Sequence, residues 1–233
     1  MKHPDGHLSV SLSQQTFTEQ LLDSLAIERP TISTYLTPYQ SGMSIDSIPH
    51  ESMSPSARNE LRVKYQSVVG SLNWFAHTTR PDISTVVSLL AQHQSEPSTG
   101  HLQAAIYVVN YLASTKTLGI YFTSRRCSTL ESFLHFLIAQ PLLPMSDANW
   151  GPQDASTSSK SRSSLPLFAS RSMSAFYIDL MGPLHWMSKR QKVTAASSAE
   201  AEIYATDECV KFLLDWINFL PFLMLNISSC PLL

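Results

Sequence analysis

Cysteine is scarce in this chain. Cys127, Cys209 and Cys230 are the only three, far apart and odd in number, and no C-x-x-C pair occurs. That excludes a disulfide framework and a thiolate zinc site, and it points to a reducing compartment. Charge is also sparse, at 15% of residues, with 16 Lys plus Arg against 18 Asp plus Glu. A near-neutral balance excludes a protein dedicated to coating polyanions, while leaving room for a local basic groove. Long apolar runs are missing as well. Met1 to Val10 has no apolar core of a secretory signal, and the run from Phe212 to Leu225 is broken by Asp215 and Pro221. A spanning helix needs about twenty apolar residues, so no membrane anchor is expected and the expected location is cytoplasm or nucleus. Asn226-Ile227-Ser228 then reads as a chance match to a glycosylation sequon.

What is present is enough apolar residue, 43% of 233, for one large or two small cores. Leu8 to Leu12 alternates apolar and polar, which predicts a strand, followed by an amphipathic helix from about Thr16 to Leu25. Residues 30–57 carry four prolines and little periodicity, the mark of an irregular connection. Helical patterning then runs from Ala57 to Ala113, with Pro81 at a first helical position ahead of Ile83, Val86, Val87, Leu90 and Ala91. A further helix starts near Thr99 as a cap and carries Leu102, Ala105, Ile106, Val109 and Leu112 on one face. Such stripes predict core. The pattern loosens from Ser124 to Gln140, and Ser156 to Ser164 reads as a solvated loop. Strands are expected over Ser174 to Met181 and Leu184 to Ser188, separated by the turn signal Gly182-Pro183.

The segment from Ser197 to Tyr204 holds two carboxylates with different expected roles. Ser197 followed three residues later by Glu200 is a capping box, in which Glu200 is a structural partner of the helix start. Glu200 shares a helical face with Tyr204, Asp207 and Lys211, a solvated stripe of mixed charge. Glu202 shares a face with Ala205, Cys209, Leu213 and Trp216. A carboxylate heading an apolar stripe is costly to bury unless it is paired or bound to a cation, so Glu202 is the functional candidate. Upstream, Asp147 in Ser146-Asp147-Ala148-Asn149-Trp150 ends a strand-like run, where it serves either as a turn residue or as a metal ligand. Lys189-Arg190-Gln191-Lys192 reads either as a solvated turn or as a phosphate contact. Trp150 and Trp186 are expected to pack rather than to stack on bases.

Five motifs occur in order: Tyr65-Gln66-Ser67-Val68-Val69-Gly70-Ser71-Leu72, Thr79-Arg80-Pro81-Asp82-Ile83-Ser84, Ser146 to Trp150, Ser188 to Lys192, and Ser197 to Glu202. Together, over roughly residues 8–220, the chain resembles the C-terminal part of copia-type (pseudoviral) retrotransposon polyproteins. The resemblance implies a mixed fold, α+β or α/β. A reverse-transcriptase end and irregular connection would occupy 1–54, a helical thumb- or connection-like region 55–123, and a linker 124–144. A partial RNase H-like domain of antiparallel strands plus a first helix would occupy 145–220, with an aberrant apolar tail at 221–233. It further implies an ancestral activity, hydrolysis of RNA in an RNA–DNA hybrid, with Asp147 and Glu202 as catalytic metal ligands for Mg2+ or Mn2+. Lys189, Arg190 and Lys192 would contact the nucleic acid. No small-molecule cofactor is implied.

The chain departs from that pattern in its acids. The third aspartate and the fourth acid of such a domain have no counterpart after the Glu202 helix, and no Asp-Asp pair exists anywhere. Two carboxylates offset the repulsion between two metal ions poorly, so such a site is expected to fill weakly. A missing strand would also leave a sheet edge open to a partner. The leading expectation is a truncated, catalytically inactive polyprotein fragment. One alternative is a residual nuclease completed by another polyprotein copy. A second is a non-enzymatic helical module in residues 55–115 that binds nucleic acid or protein.

Overall fold

A computed structural model of the protein describes residues 8–27, 35–39, 45, 48, 52–123, 142–149 and 171–223. Cys127, Cys230, Trp150, the serine-rich run 156–164 and residues 224–233 of the tail lie outside the described residues. The order is β1 (Ser9–Ser13), α1 (Gln15–Leu25), α2 (Pro55–Thr78), a 3-10 turn (Pro81–Ile83), α3 (Ser84–Ala91), α4 (Thr99–Ser114), β2 (Gly119–Thr123), β3 (Leu143–Asn149), β4 (Met173–Asp179), β5 (Pro183–Arg190), α5 (Ser198–Phe219) and a second 3-10 turn (Leu220–Leu223).

The helical layer forms because each helix buries one stripe. Tyr65, Val68, Val69, Leu72, Phe75 and Ala76 of α2 meet Val86, Val87, Leu89 and Leu90 of α3 and Ala104, Ala105, Val108, Val109 and Leu112 of α4. Capping punctuates it. Ser54 accepts from Ala57 N ahead of Pro55 at the first helical position of α2. The cap of α4 is Ser98 rather than Thr99, and His101 takes the place usually held by Glu, accepting from Ser98 N through Nδ1 at 3.0 Å. Pro81 opens a 3-10 turn before α3 rather than the helix itself.

Two antiparallel sheets complete the fold: β1 with β2, and β3-β4-β5 in that order. The strand β2 closes what the sequence presents as an all-helical stretch, and its partner β1 lies more than a hundred residues upstream, Ser13 opposite Gly119 and Ser9 opposite Thr123. The turn between β4 and β5 uses Gly182, whose φ of 154° suits glycine. A side chain there would run into the Tyr121 carbonyl and the Phe122 ring of β2.

Both faces of the three-stranded sheet are covered. On one, Phe176 and Ile178 of β4 pack with Leu142 against Cys209, Leu213 and Leu220 on and just beyond α5. On the other, Met173 joins the helical core, and Trp186 of β5 donates its indole N–H to the Ala76 carbonyl of α2 at 2.6 Å. Thr85 of α3 meets Ser188 of β5 at 3.1 Å, and Thr123 N bonds Met181 O at 3.1 Å. The helical layer and the sheet are therefore joined by a hydrogen-bonded seam with the buried Trp186 at its centre.

Candidate functional site

The start of α5 is built by local chemistry. Ser197, in extended backbone, accepts from Glu200 N at 3.1 Å. Glu200 reaches back to Ala196 N at 2.6 Å, one residue before the Ser197 amide that a standard capping box would engage, and also accepts from Tyr204 Oη at 3.0 Å. That bond and the carboxylate's charge hold the half-buried Tyr204 phenol above its ordinary pKa. Further along the same side, Lys211 pairs with Asp207 at 2.5 Å. Glu200 and its neighbours thus form a solvated, self-paired stripe.

Glu202 differs from its expected setting. The buried stripe of α5 is Ala201, Ala205, Cys209 and Leu213, advancing by four residues, and it is headed by Ala201. Glu202 stands one position to the side and is exposed. A residue step turns a helix by about 100°, enough to move a side chain from the packed face to water. The Glu202 carboxylate therefore keeps its hydration and needs no cation to compensate burial.

Asp147 lies in β3, whose pairing with β4 sets which way each side chain points. Ser146 is opposite Phe176, which packs on Phe212 of α5 with ring centroids 5.0 Å apart. Ser146 itself meets Thr206 of α5 at 3.1 Å. Ala148 is opposite Ser174, whose hydroxyl accepts from Gln191 on the same side. Strand alternation then sends Asp147, opposite Ala175, out of the other face, where it is exposed. The strand and the first turns of α5 run side by side: Glu202 stands one turn before Thr206, which meets Ser146, while Asp147 points to the sheet face away from Phe176. Among the described residues no three of His, Cys, Asp and Glu come together as a metal site. A two-metal centre uses several carboxylates converging on one point, and Asp147 and Glu202 alone are fewer than such a centre uses.

The basic cluster is divided in the same way. Lys189 is tied to Glu208 of α5 at 2.6 Å. Arg190 closes β5 and is half-buried, whereas Lys192 is exposed beyond the strand. The uncharged member, Gln191, is the buried one. Its amide donates to Ser174 Oγ and to Ala201 O, both at 2.8 Å, clamping the first turn of α5 onto β4. Sequence reasoning passes over Gln191 because charge draws attention to its neighbours.

Thr79-Arg80-Pro81-Asp82-Ile83 proves to be a buried ion-pair motif. Arg80 donates to both carboxylate oxygens of Asp82, at 2.9 and 2.7 Å, and to the carbonyl and hydroxyl of Thr115. Tyr111 Oη donates to Asp82 at 2.8 Å. Burial alone would raise the Asp82 pKa, but the Arg80 hydrogen bonds and charge, with the Tyr111 bond, outweigh it and hold the carboxyl below its ordinary range. On the outer side of α2, Trp74 is 57% exposed and Val63 58%, with Gly70 between them. Nothing lies within 4 Å of the point a Gly70 side chain would occupy. An exposed Trp one turn beyond a mid-helix Gly is the available signal for this face.

No family model matches the chain, and no solved structure matches it significantly. Among curated proteins, the secreted RxLR effector protein 161 of Plasmopara viticola is 33% identical over 150 residues, covering 64% of this chain and 88% of the effector. The retrovirus-related Pol polyprotein from transposon RE1 of Arabidopsis thaliana is 34% identical over 142 residues, 60% of this chain and 8% of the polyprotein. Its RE2 counterpart from the same plant is 31% identical over 174 residues, 73% of this chain and 10% of the polyprotein. The chain thus spans most of the effector but at most 10% of either polyprotein. With this order of motifs, the chain is homologous over much of its length to retrovirus-related Pol polyproteins from copia-type transposons.

Proposed function

We propose that this chain is a polyprotein fragment that binds RNA–DNA hybrids, or other nucleic acid, without cleaving them. The observation that carries the reading is that no group of three His, Cys, Asp or Glu side chains forms around Asp147 or Glu202 among the described residues, which leaves a pair of divalent cations with too few carboxylates. Binding without cleavage draws on Lys192, on Arg190, and on the outer face of α2, where Arg62 and Lys64 flank the line from Val63 to Trp74. Arg62 and Lys64 lie about 18 and 15 Å along the helix axis from Trp74, an arrangement that suits a strand running along the helix, held by charge at one end and stacked at the other.

The full chain incubated with a labelled RNA–DNA hybrid and magnesium should give binding that weakens steeply with salt and no cleavage. Trp74→Ala should weaken that binding without unfolding the protein, since the ring packs against little. Metal-dependent cleavage that disappears in Glu202→Ala would overturn the reading in favour of a residual nuclease. Absence of any hybrid binding would overturn it in favour of a remnant with no nucleic-acid role.

A further inference from the structure

His185 of β5 sits where three elements meet. Its ring lies against Phe176 of β4, Phe212 of α5 and Trp216 of α5, with centroids 5.3, 4.7 and 6.3 Å away. Trp216 Nε1 donates to His185 Nδ1 at 3.1 Å. An indole N–H can only donate, so Nδ1 must carry a lone pair, and the ring is held neutral with its proton on Nε2. The next residue, Trp186, crosses to the opposite face and bonds Ala76 O, and the residue after Ala76 is His77, in the last turn of α2.

We propose that His185 is an acid-sensitive latch that holds α5 on the sheet while neutral and releases it on protonation. A proton on Nδ1 replaces the acceptor with a donor facing the Trp216 N–H, so the bond to α5 is lost. The new charge lies among three aromatic rings. No carboxylate among the described residues is placed to compensate it. On α5, Asp215 is exposed, away from the ring, and on β5 Lys189 is engaged with Glu208. On β4, Asp179 accepts from Tyr177 on the opposite face. On α2 the titratable group of the last turn is His77, which offers no negative charge. Burial first, and His77 second, lower the His185 pKa from 6.5. Because the folded value lies below the unfolded one, the latch is at full strength above about pH 6.5. It weakens as pH falls and is fully lost below the folded value.

Nitrogen-15 NMR of the full chain between pH 8 and 5 reads both rings. The Trp216 indole signal should hold its hydrogen-bonded position at pH 8 and move away with a one-proton midpoint below about 6.5. His185→Gln, whose amide oxygen accepts the indole N–H but does not titrate, should abolish that movement. An indole signal constant to pH 5, or a step that survives in His185→Gln, overturns the proposal. If His185→Gln fails to fold, the ring-nitrogen shifts of unaltered His185 decide: a charged ring at pH 7 overturns the latch.

Discussion

Trp186→Phe tests whether the sheet and the helical layer stand or fall together. Ala76 lies in the last turn of α2, where carbonyls have no intrahelical donor. Trp186 supplies one at 2.6 Å, and Ser84 Oγ a second at 3.2 Å. Phenylalanine keeps most of the buried ring but removes the N–H, leaving the carbonyl with the longer bond alone. Losing a buried neutral hydrogen bond costs about 1–2 kcal/mol, which for a chain of this size lowers Tm by about 2–8 °C. Urea unfolding followed through amide NMR signals of α2 and of β4 should show both transitions shifted together by the same free energy. If only the β4 signals shift while α2 keeps its midpoint, the seam does not couple the layers and the reasoning fails. An unchanged midpoint in both would mean the bond contributes nothing.

Two further changes probe other parts of the fold. Gly119→Ala would drive a side chain into the Leu12 carbonyl of the paired strand, at an overpacking cost of about 1–3 kcal/mol, and hydrogen exchange should show β1 amides losing protection while α4 keeps its own. Arg80→Met strands Asp82, whose side chain is one-third exposed, so the loss should be about 3 kcal/mol, the low end for a broken buried pair. Its acid limb carries a sign. The Asp82 pKa is lowered by folding, so its contribution is present above about pH 4 and lost as pH falls below that, and stability measured from pH 6 to 3 should lose this limb in Arg80→Met.

The parts of the fold legible in the sequence are those decided within one turn or one hairpin. Ser197 and Glu200 announce the start of α5 because both groups they serve are within four residues. Gly182-Pro183 announces the β4–β5 turn for the same reason. The direction of Asp147 is different: it follows from pairing with Ala175, and a shift of one residue in that register would reverse it. Lys189 looks available in the sequence because Glu208, its partner, comes nineteen residues later on another element. Glu202 is misplaced by a counting choice, since spacings of three and four both fit a helix and only the sheet decides which stripe is buried. The pairing of β1 with β2 joins segments too distant for any local pattern to reveal. The mixed helix-and-sheet class needs only periodicity, and it is what the structure has.

The seam also sets the terms on which this polypeptide can be cut. Its two layers meet through Trp186, Met173 and Ser188 on one side and Ala76 and Thr85 on the other. Severing the chain between the helices and the sheet, where motif order alone would divide it, would strip both layers at once and leave each with a newly wetted apolar surface. A piece that is to keep both layers together therefore runs from β1 through α5.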